Sequence, residues 1–164
     1  MTQKEFILEQ LASTSNQKSW FVPLSGALSG LSAENAARKD AAGSHTVWEI
    51  VTHLVFWNGR WLVRLKSGTP SEMESENSGT FMNGTADEAA WSEIRQKLFS
   101  TLEQIEESVK AATEEDLQKE AFPGYGAAWL DVFCQMAIHN AYHTGQIVLL
   151  RKQQGSWDAS EGVS

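Results

Sequence analysis

From Val47 to about Ser67 the apolar residues Val47, Ile50, Val51, Leu54, Val55, Trp57, Trp61, Leu62 and Leu65 recur every three or four positions. That spacing gathers them on one side of an α-helix and on no single face of a strand. Thr46 stands where a helix N-cap belongs, and Gly68, Thr69 and Pro70 stop the run. A second run, Trp91, Ile94, Leu98, Leu102, Ile105 and Val109, is the plainest amphipathic segment, and Thr85 with Glu88 three residues on predicts a capping box at its start. A third helix is expected from near Ala127, after the irregular Pro123 to Gly126, to Gly155. Phe6, Ile7, Leu11, Trp20, Phe21, Leu24 and Leu28 suit a first helix over Thr2 to about Leu31, interrupted near Ser13 to Ser19 and adjusted at Pro23. Ser32 and Thr113 open short capped turns, and Ala41 to His45 reads as a loop. With no strand pattern and no internal repeat, the expectation is an all-α four-helix bundle, one domain over 1–155 followed by a polar, frayed tail over 156–164.

The polar stretch Gly68 to Gly84 is long for a connection. At roughly 3.3 Å per residue it outreaches a helix of 20 residues, roughly 30 Å long, so the helices on either side can run parallel with this stretch as a crossover, or it folds as a lid. A chain of 164 residues buries enough surface to fold without a structural metal, so a metal here would serve chemistry. Cys134 is the only cysteine, which excludes an intrachain disulfide and a cysteine-built zinc site; its position reads as an inert buried thiol. A net charge of -8 sets the surface field against a phosphate backbone, so nucleic acid is not an expected partner. Without a leader-like start or a stretch of membrane-spanning length, a cytoplasmic location is expected and a membrane is not.

His139 and His143 lie four residues apart, so both imidazoles leave one face of the last helix a turn apart. His53 sits between Ile50 and Trp57, on the face of its helix that looks inward if those two are buried. Three neutral imidazoles suit zinc, nickel or ferrous iron, and three protein ligands leave a position open, as catalytic sites do. An HxxxH pair by itself is more often two hydrogen-bonded residues than a metal site, so both readings stand at this point. The segment HNAYH lacks the glutamate of HExxH proteases, and no Glu-x-x-His of the di-iron bundles occurs. Around the histidines, Gln146 is placed to bond a substrate or to allow close helix packing, and Trp57 to wall a pocket or fill core. Glu49 is placed to orient His53 or to sit solvated at a helix start. Tyr142 is expected to pack on an adjacent helix, and His45 to be exposed loop without a site role.

These residues resemble the DinB/YfiT-like metalloenzymes. The likeness rests on VWEIVTHLVFWNGRWL at Val47 to Leu62 and AIHNAYHTGQIVLLRKQQGSW at Ala137 to Trp157, where a lone histidine, an HxxxH pair and a following GQI appear together and in order. The resemblance implies an up-down-down-up bundle, a homodimer, and one divalent metal, zinc or nickel before iron, held by His53, His139 and His143. Characterised relatives include thiol-dependent transferases and isomerases that use bacillithiol or mycothiol, and others are called hydrolases. The expected activity is transfer of a low-molecular-weight thiol to a small electrophile, the metal favouring the thiolate, which is the nucleophilic form. The alternatives are metal-dependent hydrolysis of a small molecule and a non-catalytic bundle that binds a metal or small ligand.

Overall fold

A computed structural model describes residues 1–39, 45–69 and 76–162, and every long element among them is a helix. In chain order these are α1 (Gln3–Ser15), α2 (Leu24–Ala27), α3 (Ala33–Ala37), α4 (Val47–Ser67), α5 (Glu88–Ala111), α6 (Glu114–Gln118) and α7 (Trp129–Gln153), with 3-10 turns at Asn77–Thr80 and Ala159–Glu161. None of the helices in the described residues is long and apolar enough to cross a membrane.

Local chemistry sets the boundaries. The Thr46 hydroxyl accepts from the Glu49 N–H at 3.0 Å and the Glu49 carboxylate accepts from the Thr46 N–H at 2.9 Å, a capping box that starts α4. Gly68 ends α4 at φ 66, in the left-handed region that glycine reaches without strain. The box expected from Thr85 and Glu88 does not form. Ala86 turns the chain at φ 61, so the cap falls to Asp87, whose carboxylate accepts from Ala90 N–H at 2.7 Å. Glu88 instead accepts from Ala33 N–H at 2.7 Å and satisfies the first free donor of α3. The expected first helix is also shorter than its apolar spacing suggested. It ends at Ser15, where the Thr14 hydroxyl bonds back to the Leu11 carbonyl, and Trp20 stands fully exposed before Pro23 opens α2.

α4 packs on α5 and α7, and α1 packs on the same two, so the four longest helices enclose one interior. One part of it gathers around Leu54, Trp91, Leu98 and Ile147, the other around Ile7, Ile105, Val109 and Phe133. The Trp48 and Trp91 rings lie 5.0 Å apart near the starts of α4 and α5, and Lys66 Nζ donates to Gln104 Oε1 at 2.6 Å farther along both. Trp61, late in α4, instead meets Trp129, the first residue of α7, at 6.3 Å. Lys4 Nζ, at the start of α1, donates to the Ala112 carbonyl at the end of α5.

The connection between α4 and α5 comes back to the beginning of α4. Thr46 Oγ1 donates to Asn83 Oδ1 at 2.8 Å, and a Cβ on Gly84 would lie 2.1 Å from the Trp48 ring, so only glycine fits there. Residues 70–75 of this stretch, and 41–44 of the expected loop at Ala41 to His45, lie outside the described residues. Past α7, where fraying was expected, the buried Arg151 guanidinium donates to the carbonyls of Ala27 and Ser156 and stacks over Trp157.

Candidate metal centre

The inward face of α4 brings His53 against the two histidines of α7. His53 is 3% exposed and His143 6%, while His139 is half-buried. His139 Nε2 lies 3.1 Å from His53 Nε2 and 3.1 Å from His143 Nε2, and the three ring nitrogens fall within 4.8 Å of one another.

Hydrogen bonds on the far side of two rings fix which nitrogen carries the proton. The Thr80 hydroxyl donates to the Asn77 carbonyl at 2.6 Å, so toward His53 Nδ1, 2.7 Å away, it acts as acceptor, and His53 Nδ1 is the protonated nitrogen. His143 Nδ1 lies 2.7 Å from Gln146 Oε1, an atom that only accepts, so it too carries its proton there. The Nε2 atoms of His53 and His143 therefore both present lone pairs to His139 Nε2. One proton on His139 can bridge only one of these contacts, and the other sets two lone pairs face to face. A divalent cation satisfies all three nitrogens at once. A tetrahedral ion with nitrogens at about 2.0–2.1 Å puts its ligand atoms roughly 3.3 Å apart, close to what is seen.

The charge state agrees. Burial, and then repulsion from His143, His139 and His45, pushes the His53 imidazole down to about 3. Burial followed by His143 pushes His139 down to about 4, and burial also lowers His143. All three rings are neutral at pH 7, the form that binds metal.

The cluster sits in a cavity of about 710 Å³ whose walls include Trp57, Trp61, Phe81, Tyr125, Gln135 and Tyr142, the size of a small-molecule site. Trp57 is half-buried, meets the His53 ring edge-on at 6.4 Å and donates from Nε1 to Asn77 Oδ1 at 3.1 Å, so it forms part of the wall. Gln146, besides holding His143, donates from Nε2 to the Tyr142 hydroxyl at 3.1 Å. Tyr142 is exposed beside the cavity; the helix packing expected of it is not seen, because its position on α7 faces outward. Cys134 is half-buried, and burial followed by Asp131 raises its thiol, as suits an unreactive group.

Glu49 does not reach His53. As the N3 residue of α4 its carboxylate turns back to the cap, where it holds Lys39 Nζ at 2.7 and 2.9 Å and His45 Nδ1 at 3.3 Å. Nor is it solvated, being 7% exposed. Burial raises this carboxyl, but bonds from Lys39, Thr46 and His45 outweigh that and leave it below its usual value.

Sequence reasoning missed three contributors. Thr80 orients His53. Phe81 lies flat between His53, 4.1 Å and 11° away, and His45, 3.9 Å and 12° away. His45 remains an exposed residue outside the helices, as expected, and that stack sets it at the edge of the cavity wall. These residues belong to non-periodic stretches, where nothing in the spacing announces a partner. A signal did exist for the amide pair beside the cluster. Asn58 and Asn140 interrupt apolar faces of α4 and α7, and in the structure their buried side chains exchange hydrogen bonds at 3.0 and 3.2 Å, fixing the register of the two histidine-bearing helices.

A family-wide sequence model, that of the DinB superfamily, matches residues 23–147, a span that includes all three histidines. Neither the curated proteins nor the solved structures contain a match to the chain.

Proposed function

The chain belongs to the DinB superfamily, and on that premise we propose that it is a metal-dependent enzyme that transfers a low-molecular-weight thiol to a small electrophile, with His53, His139 and His143 holding one divalent ion, zinc or nickel. The observation that carries this reading is the meeting of three Nε2 atoms in one cavity, two of them committed to lone pairs by Thr80 and Gln146. When bound, such an ion supplies Lewis acidity that favours a thiolate over its thiol.

The protein's own residues do the rest. Thr80 and Phe81 hold the His53 ring by its edge and its face, so that the donor atom stays aimed into the cluster. Gln146 does the same for His143. Trp57, Trp61 and Tyr125 give the cavity apolar walls that exclude water and seat the carbon skeleton of a substrate. Three protein ligands are one fewer than a closed structural site uses, which leaves room for a reacting group.

The same proposal extends to the architecture, an up-down-down-up four-helix bundle in which residues 68–84 are a crossover. It is supported by the contacts of α4 with α5, which advance in the same sense along both helices, and by those of α4 with α7 and α1 with α5, which advance in opposite senses.

The test is to incubate zinc- or nickel-loaded protein with a reactive electrophile and a panel of low-molecular-weight thiols and to follow conjugate formation. A conjugate that forms only with metal, and is lost in His139→Ala, is expected. Metal-dependent disappearance of the electrophile without a conjugate would replace transfer with hydrolysis.

A further inference from the structure

The cavity that holds the histidine cluster extends well beyond it. His53, Trp57 and Trp61 follow one another along α4 at steps of four residues, and His139, Gln135 and Asp131 do the same along α7, so each row keeps to one side of its helix. Both rows line the cavity. At one end the Nε2 atoms of His53 and His139 lie 3.1 Å apart. At the other, Trp61 meets Trp129 at 6.3 Å and Tyr125 at 5.5 Å, both edge-on. From Asp131 to His139 the helix rises about 12 Å.

The end remote from the histidines carries charge of one sign. One oxygen of the Asp131 carboxylate accepts from the Ala128 N–H at 3.0 Å, and the other has no partner among the described residues. The Gln135 side-chain amide has none there either. Among the described residues no lysine or arginine lines the cavity, and residues 40–44, 70–75 and 163–164 contain none in the sequence. Arg64 stacks on the Trp61 ring at 4.5 Å, but it is 9% exposed and is not part of the cavity wall. His45, at the histidine end, faces the Glu49 carboxylate at 3.3 Å. A ligand carboxylate entering here meets an acid and no counter-charge. An ammonium meets the free Asp131 oxygen and the electron-rich rings of Trp57 and Tyr125.

We infer that the small molecule this cavity takes bears an ammonium group and no carboxylate, with the ammonium seated at Asp131 beside Tyr125. Gln135, midway between Asp131 and His139, meets an amide or hydroxyl of the same molecule. The choice of charge rests on the cavity wall alone. Its assignment to the thiol rests on the proposed thiol transfer: the molecule is then an amino-thiol, its sulfur at the histidine cluster and its amine about 12 Å away. Thiols rich in carboxylates are disfavoured by charge, since a site discriminates as much by repulsion as by attraction.

The experiment uses two sets of probes of about that length. One is a trio of eight-carbon thiols ending in an ammonium, a hydroxyl or a carboxylate, titrated into nickel-loaded protein and followed by calorimetry and by thiolate-to-nickel absorption. The other is the same trio without sulfur, titrated into metal-free protein. In both sets the ammonium probe should bind tighter than the carboxylate by about tenfold, the size of one charged hydrogen bond. Asp131→Asn, which keeps an oxygen for the Ala128 N–H, should bring the two to within a factor of two with helical circular dichroism unchanged. A wild type that binds the carboxylate as tightly as the ammonium, or a preference that survives in Asp131→Asn, would overturn the assignment. Thiolate absorption that is equal for all three thiols would overturn it while leaving thiol transfer standing. A preference for ammonium in both sets without thiolate absorption would uphold the charge of the ligand and remove the thiol reading instead.

Discussion

At the residue scale the account turns on which nitrogen of each histidine bears a proton. If Thr80 holds the proton on His53 Nδ1, then Thr80→Val strands that N–H in a buried place and frees the ring to turn. Removing such an orienting partner typically weakens metal binding 10–100-fold. A chelator-competition titration should show a loss of about that size, and an unchanged affinity would mean that the Thr80 contact is incidental. The lowered pKa values predict an acid-sensitive apo-protein. Burial holds His53 and His139 down to about 3 and about 4 when folded, against the ordinary imidazole value of about 6.5 when unfolded. Between those limits the unfolded chain binds more protons, so stability present at pH 7 is lost as pH falls from about 6.5 toward 4. Urea midpoints of the metal-free protein should drop between pH 7 and pH 5, and the drop should be smaller in His53→Gln. The three histidines could be read from the sequence because helical spacing makes neighbours of residues four apart and because His53 shares a face with Ile50 and Trp57. Thr80, Phe81 and His45 could not, since they reach the cluster through turns whose path no periodicity encodes.

At the scale of the elements, the helix interiors followed the sequence more closely than the ends did. Apolar spacing located α4, α5 and α7 within about two residues, because a buried stripe must recur with the turn of the helix. Ends depend on local backbone geometry instead. Thr85 and Glu88 had the right identities and spacing for a capping box, yet the left-handed turn at Ala86 moved the cap to Asp87 and sent Glu88 to α3. Asp87→Ala should therefore cost about 1 kcal/mol in denaturant unfolding, and Thr85→Ala only a small fraction of it. A larger loss at Thr85 would contradict the observed cap. α1 shows the converse limit. Phe6 to Leu28 carries enough apolar residues for one long helix, but the Thr14 hydroxyl, which bonds back to the Leu11 carbonyl beside the helix end, and the proline at 23 divide it.

At the scale of the whole molecule, the histidine cluster depends on how the segment before α5 is laid against α4. Residues 76–84 carry Thr80 and Phe81 to His53, and they are pinned at their far end by Gly84 lying flat on Trp48. Gly84→Ala would force a methyl group into that ring and lift the segment. The predicted result is weaker metal binding from a substitution far along the chain from every histidine, with helix content retained; binding equal to wild type would show that the segment is held elsewhere. The all-α class was legible because every apolar run had helical spacing. The second use of residues 76–84 was not, since their polar composition suits a lid and a crossover equally well.

The central claim is that His53, His139 and His143 bind one divalent ion together. Metal analysis of protein purified without an affinity tag, beside its His139→Ala variant, tests it most directly. The account predicts one zinc or nickel ion per chain in the wild type and none in the variant, which should still be folded by circular dichroism. No stoichiometric metal in the wild type, or the same metal content in both proteins, would contradict it.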